Sequence, residues 1–278
     1  MQISVGHSPD SDDYFMFWAL RENLLDAAGY DFCFNARDTA ELNQAALDGV
    51  YDIVAISAAI YPQIRSKYLL LPFGASVGRN YGPKVVAARK YEITELNSLR
   101  IAIPGITTTA ALLLQRIAPL ANLVTYPISP YEIVFSALSR GEVDAALLIH
   151  EGQLSYSKRS LDVIVDLGRW WHEKTQLPLP LGLNAISKTL GNDNISRLSN
   201  LIKKSIDYAQ NNFKSALTYL NAINRSRELD FTADDELSAY LAMYANCDSS
   251  ALAPDVICGL EELLRPQFEG SVQIEWAP

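Results

Sequence analysis

The stretch GPKVVAAR, residues 82–89, decides the fold. It is short, rich in valine and headed by a Gly-Pro pair. On either side of it, strand-like runs alternate with helical patterns. A second stretch of the same kind, PLPLGLNAI at residues 178–186, follows a further turn signal. Together they read as two crossings, one taking the chain out of a first lobe and one bringing it back. That reading predicts a discontinuous first lobe, residues 1–85 and 185–278, and a second lobe of residues 86–184. The competing architecture is one continuous open sheet with a helical cap.

Working outward toward the N-terminus, QISVG (2–6), YDFCFNA (30–36) and YDIVAIS (51–57) are strand patterns. Between them lie helical patterns, DDYFMFWALRENLLDA (12–27) and TAELNQAALDG (39–49). In the first of these Phe15, Trp18, Ala19 and Leu25 fall near one face. Toward the C-terminus the alternation restarts with RIAIP (100–104), TTTAALLLQRIA (107–118), NLVTYPI (122–128), PYEIVFSALSRGE (130–142), VDAALLI (143–149) and LDVIVDLG (161–168). Strands alternating with helices of this length predict α/β structure with parallel sheet. After GNDN (191–194) the patterns are helical: 195–223, TADDELSAYLAMYA (232–245) and 250–268. They read as solvated scaffold.

The 278 residues carry a net charge of −9, and their basic residues are scattered. Phosphate neutralisation needs clustered Lys and Arg, so a nucleic-acid partner is not expected. No apolar run reaches the roughly 20 residues that span a bilayer, so no membrane partner is expected either. Cys33, Cys247 and Cys258 lack metal-ligand spacing, and Cys33 reads as a packing thiol. A reducing, cytoplasmic location is expected, because MQISVGHS starts directly as a strand without the features of a leader.

In open α/β sheets ligands bind beyond the carboxyl ends of the strands. At four such ends the polar residues gather: GHSPDSDD (6–13), Ser57, GITTTA (105–110), and His150 with Glu151. The acids of SPDSDD do not make a calcium loop, which needs D-x-[DN]-x-[DN]-G and a closing Glu. Ser11 or Asp12 is expected to cap the first helix, while another acid faces the cleft. One of the threonines at 107–109 is expected to cap the helix that follows. The remaining first-turn N–H groups would suit an anion.

His150 is either a satisfied packing residue or a group for proton transfer, for which its ordinary pKa of about 6.5 is apt. Glu151 reads as a surface or supporting residue. His7 either lines the cleft or bonds to the loop backbone. Trp170 and Trp171 are packing residues or a wall against a flat ligand. The sequence has no G-x-S-x-G, no G-x-G-x-x-G or G-K-[ST], and no H-E-x-x-H at His172. Acyl-enzyme, nucleotide-phosphate and zinc-protease chemistry therefore have no support.

Four segments, SPDSDDYFMFWAL (8–20), PGITTTAALLL (104–114), LIHEGQLSY (148–156) and DLGRWWHEKTQLPLPLG (166–182), resemble the 1,4-dihydroxy-6-naphthoate synthase family of the futalosine route to menaquinone. The resemblance implies a two-lobed, type II periplasmic-binding-protein-like fold with the ligand cleft between the lobes. It implies a cytoplasmic carbon–carbon lyase with a small-molecule substrate and neither metal nor organic cofactor. The reaction would cleave cyclic dehypoxanthine futalosine into 1,4-dihydroxy-6-naphthoate and a ribose-derived fragment. His150 matches the family's catalytic histidine, a general base. Asp13, Ser57, Thr108 and Thr109 match substrate-binding positions. Many members read S-P-C-P-N-D-T-F where this chain reads SPDSDDYF, so Asp10, Ser11, Asp12 and Tyr14 depart from the pattern while Asp13 keeps it. Alternatives are a non-catalytic solute-binding protein and the related chorismate dehydratase. No oligomeric state follows from the sequence.

Overall fold

The computed structural model describes residues 1–128, 130–227 and 234–278. Its strands are β1 (Gln2–His7), β2 (Asp31–Ala36), β3 (Ile53–Ser57), β4 (Tyr68–Leu70), β5 (Ser76–Gly78), β6 (Lys84–Ala87), β7 (Arg100–Ile103), β8 (Asn122–Thr125), β9 (Ala145–Leu148), β10 (Asp162–Asp166) and β11 (Leu179–Ser187). They form two sheets. One runs in the order β2-β1-β3-β11-β4, with β5 also pairing β11; the other runs β10-β6-β9-β7-β8. The continuous open sheet is thereby overturned. Of the two crossing stretches, GPKVVAAR supplies β6 to the second sheet and PLPLGLNAI supplies most of β11 to the first.

The sheets are mixed, not purely parallel. Pairs β1/β2, β1/β3, β7/β8 and β7/β9 are parallel, as βαβ units require. Strand β11 runs antiparallel to β3, β4 and β5, and β6 runs antiparallel to β9 and β10. The antiparallel pairs are those made by the crossing strands, which enter each sheet from the other lobe and so in the opposite sense. Beside the crossing the backbones nearly touch: a Cβ built on Gly82 would stand 2.9 Å from the Gly168 backbone, so only glycine fits.

Local chemistry accounts for the element boundaries. The helix Thr39–Asp48 opens with a capping box, Asp38 with Glu41, and closes at Gly49, whose φ of 78° is the left-handed cap glycine provides. The first helix, Ser11–Arg21, is shorter than the apolar pattern and buried along its whole length from Ser11 to Leu20. Met16, Phe17 and Leu20 pack toward β1, while Phe15 and Trp18 pack with the C-terminal helices. A helix apolar on every side belongs in a core, so the expected single face was too narrow a reading. Leu25 lies beyond the helix and packs only partly buried.

The long helical stretch after Asn194 is two helices, Asn192–Asn211 and Phe213–Ser226, broken at Asn212. The next helix is Asp234–Tyr244; Thr232 and Ala233, expected to open it, lie outside the described residues. Cys33 is exposed on the sheet-edge strand β2 and is not a packing residue, and Cys247 and Cys258 are exposed free thiols as well. Among the described residues no helix is long and apolar enough to cross a membrane.

Candidate active site

The carboxyl ends of β1, β3, β7 and β9 converge on a cleft between the two sheets, enclosing about 700 Å³ with its open mouth included. Asp13, Ser57, Thr108, Thr109 and His150 all line it. The four strand ends singled out in the sequence are thus brought to one place by topology.

The opening loop is built differently from expectation. Neither Ser11 nor Asp12 caps the first helix; Asp10 is its N-cap residue and makes no side-chain cap. Its carboxylate instead receives the Ser8 hydroxyl at 2.6 Å and pairs with His150 Nδ1 at 2.7 Å across the cleft. The Ser11 N–H is satisfied from the opposite side by Glu151 Oε1 at 2.9 Å. Asp12 accepts from the Ser76 hydroxyl at 2.8 Å and the Tyr240 hydroxyl at 3.0 Å. Asp13 accepts the Ser8 N–H at 2.6 Å.

Four carboxyls, Asp10, Asp12, Asp13 and Glu151, are therefore buried near one imidazole. Burial opposes ionisation of all four, and they divide accordingly. Asp10 is held down at about 2, because the His150 charge and its hydrogen bonds outweigh the burial that would raise it. Burial and the Asp10 charge raise Asp12. Burial and the Asp12 charge push Asp13 up to about 8. Glu151 is likewise pushed up to about 8 by burial and Asp10. Burial alone would lower His150, but the Asp10 carboxylate, with Asp12 and Glu151 behind it, holds the imidazole above its ordinary range. The Asp10–His150 pair thus sits among three acids that burial and neighbouring carboxylates raise above the ordinary range.

His150 is held in the left-handed backbone region, with φ 51°, which is uncommon for a residue with a Cβ. Its Nε2 lies 3.1 Å from the Thr39 hydroxyl, at the cleft wall. This nitrogen is the one placed to exchange a proton with a ligand.

On the facing side, Thr108 caps the helix Thr109–Ile117 through its hydroxyl, which accepts the Ala111 N–H at 3.2 Å. The Thr109 hydroxyl donates to the Leu181 carbonyl at 2.8 Å and accepts from the Ala59 N–H. Both hydroxyls are thus engaged by the protein. What this segment offers an anionic group is its first-turn N–H groups, which have no intrahelical acceptor. Ser57 is gripped at both ends by Asn43, through its N–H at 2.9 Å and its hydroxyl at 3.0 Å. Asn43 also reaches Thr107, tying the two sides together.

Of the two readings of Glu151 the supporting one holds, since it is buried and reaches the Ser11 N–H across the cleft. Sequence reasoning missed two tyrosines. Tyr240 and Tyr244 line the cleft from a helix read as scaffold, and the Tyr244 hydroxyl lies 2.8 Å from the Gln153 amide. Their i, i+4 spacing was the available signal, since it puts two polar-tipped rings on one helix face. His7 does not line the cleft; it bonds the Ser8 carbonyl and Arg21, and burial and that guanidinium lower it to about 4. Trp171 is core, its indole N–H donating to the Pro178 carbonyl at 3.0 Å, and Trp170 packs against the same core. Neither forms a wall of the cleft. Asp10, Asp12 and His150 each bring one atom of a metal-ligand type within 4.8 Å of the others. Asp10 and His150 pair with each other, Asp10 also takes the Ser8 hydroxyl, and Asp12 takes those of Ser76 and Tyr240.

The profile of the family described as "Menaquinone biosynthesis" matches residues 3–269. The chain belongs to that family. The 1,4-dihydroxy-6-naphthoate synthase of Thermus thermophilus is 34% identical to this family member over 247 residues, covering 89% of this chain and 87% of the relative. The enzyme of the same name from Streptomyces coelicolor is 29% identical over 277 residues, covering 97% and 94%. A crystal structure of an Archaeoglobus fulgidus protein superposes with a TM-score of 0.85 at 36% identity, covering 96% of this chain and 97% of that one. The alkanesulfonate-binding protein of Xanthomonas axonopodis superposes with a TM-score of 0.68 at 14% identity, over 96% and 93% of the chains, which establishes the fold alone. This is a menaquinone-biosynthesis enzyme on a two-lobed periplasmic-binding-protein-like frame, as the sequence resemblance implied.

Proposed function

We propose that the protein is the lyase that cleaves cyclic dehypoxanthine futalosine into 1,4-dihydroxy-6-naphthoate and a ribose-derived fragment, with His150 as general base. The observation that carries this reading is the placement of His150: an imidazole fixed on one nitrogen and presenting the other to an otherwise acidic cleft. The family and the names of its synthase relatives support the substrate. In this reading the substrate is bound by Asp13, Ser57, and the first turn headed by Thr108 and Thr109. The lobes divide just ahead of β6 and β11, not at 85/86 and 184/185, which would cut both strands, and the reaction runs in the cytoplasm without a cofactor.

Closure of the two lobes around the ligand would exclude water and hold the reacting C–H or O–H against Nε2. The base must be neutral to accept that proton. Because Asp10 raises His150, kcat/KM should climb with pH through a midpoint above the ordinary histidine value and be lost as pH falls below it. The test is an assay with cyclic dehypoxanthine futalosine, reading 1,4-dihydroxy-6-naphthoate by mass, beside His150→Asn. Product from the wild type, reduced by about 10²-fold or more in the variant, supports the lyase. Tight ligand binding by both proteins with turnover by neither returns the chain to a solute-binding role.

A further inference from the structure

The Asp10–His150 pair has three features beyond its short distance. First, the partners come from opposite sides of the cleft, Asp10 from the end of β1 and His150 from the end of β9. Second, Asp10 stands at a helix N-cap yet gives its carboxylate to none of that helix's N–H groups. Third, the next residues repeat the exchange in the other direction, since Glu151 caps the Ser11 N–H that Asp10 leaves open. Two consecutive residues on each side therefore interlock. The carboxylate is itself anchored by the Ser8 hydroxyl, so its oxygen cannot swing away from the ring. His150 is held in a left-handed backbone conformation that aims Nδ1 at Asp10 and Nε2 at Thr39 and the cleft.

We propose that Asp10 is the positioning residue for His150: its carboxylate takes the Nδ1–H, fixes the ring across the cleft, and leaves Nε2 as the nitrogen that exchanges a proton with the substrate. This rests on the reading of His150 as base. In the step itself the substrate's proton moves to Nε2, the neutral imidazole becomes imidazolium, and Asp10 stays ionised and balances the new charge. Among the described residues, the charged groups acting most on the ring are Asp10 and Asp12 from the opening loop and helix, and Glu151 from the ring's own turn. Of these only Asp10 bonds the ring.

The test uses Asp10→Asn in the full-length protein. An asparagine keeps the size of the side chain and removes its charge. Nitrogen-15 histidine spectra of the substrate-free protein report the tautomer and midpoint of His150 directly, with only His7 and His172 as other signals. The expected result is a wild type with Nδ1 protonated, and a variant whose His150 binds protons at least about tenfold more weakly. The kcat/KM limb should move to lower pH by the same amount, while kcat falls by about 10²-fold and KM changes little. Ser8→Ala, which frees the carboxylate without removing it, should move the midpoint the same way by less; it also serves if Asp10→Asn fails to fold. An unmoved midpoint and tautomer in a folded variant would overturn the proposal. The spectra are read without turnover. A wild type that shows the pair but makes no 1,4-dihydroxy-6-naphthoate therefore sinks the lyase reading, not the role of Asp10 in setting the state of His150.

Discussion

Two helix starts face each other across the cleft, Pro9–Asp13 at the end of β1 and Gly105–Thr109 at the end of β7. They occupy equivalent positions, each at the carboxyl end of a central strand, yet they satisfy their helices in opposite ways. Thr108 caps its own helix, locally, with a neutral hydroxyl. At the other start the cap comes from Glu151 on the far lobe, and the local side chains are spent on His150, Ser76, Tyr240 and the Ser8 backbone. The first arrangement costs little and holds the same at any pH. The second gathers four buried carboxyls, so its stability depends on which of them keep their protons. Loops that hold a ligand at their backbone can be self-contained; a loop that prepares a titrating group cannot.

The contrast breaks most visibly at Asp13. Its folded-state value, about 8, lies above the ordinary 3.8, so the folded protein holds a proton that the unfolded chain releases. Stability therefore falls as pH rises from about 4 through about 8. Asp13→Asn keeps an acceptor for the Ser8 N–H and removes that proton. Its denaturation midpoint should be the less pH-dependent, and above pH 8 the variant should be the more stable protein. A parallel pH dependence in both would show that Asp13 ionises normally.

Glu151→Ala should come next, costing about 1–3 kcal/mol by leaving the buried Ser11 N–H without its acceptor. The measurement belongs near pH 4, where the unfolded carboxyl also keeps much of its proton and ionisation does not mask the loss. Glu151→Gln supplies an amide oxygen instead and should recover most of the stability. Equal losses in the two variants would mean that the carboxyl, not the cap, matters. Thr108→Ala should have the smallest effect, about 1 kcal/mol for the lost local cap, with the same loss on either side of neutral pH. A pH-dependent loss there would erase the distinction between the two starts.

Most of the frame is legible along the chain because its signals are local. The capping box of Asp38 and Glu41, the left-handed Gly49 and the Thr108 cap are made by residues within a turn of each other. GPKVVAAR is legible as a strand because a β-branched run after Gly-Pro has few alternatives. His150 could be singled out since a lone polar ring at the end of an apolar strand has few places to go. By contrast, nothing near Asp10 in the sequence announces a partner 140 residues away, and the ordinary expectation for Ser, Asp and Asp before a helix is a cap. The same holds for Asn43, whose grip on Ser57 and Thr107 joins three separate segments. Tyr240 and Tyr244 read as scaffold because an amphipathic helix shows which face is buried, not what that face meets.

The sequence by itself determined the α/β alternation, the four strand ends that carry polar residues and the family to which the chain belongs. These follow from periodicity, turn chemistry and motifs, which act over a few residues. Only the tertiary structure decided which sheet each strand joins and in which direction, which acid faces His150, and which of the buried carboxyls keeps its charge. Those outcomes depend on distances between residues far apart in the chain, and the energy of a charge is set by what surrounds it in space. Asp10, Asp12 and Asp13 share a residue type and a loop, yet their neighbourhoods hold Asp10 below the ordinary carboxylate range and raise Asp12 and Asp13 above it.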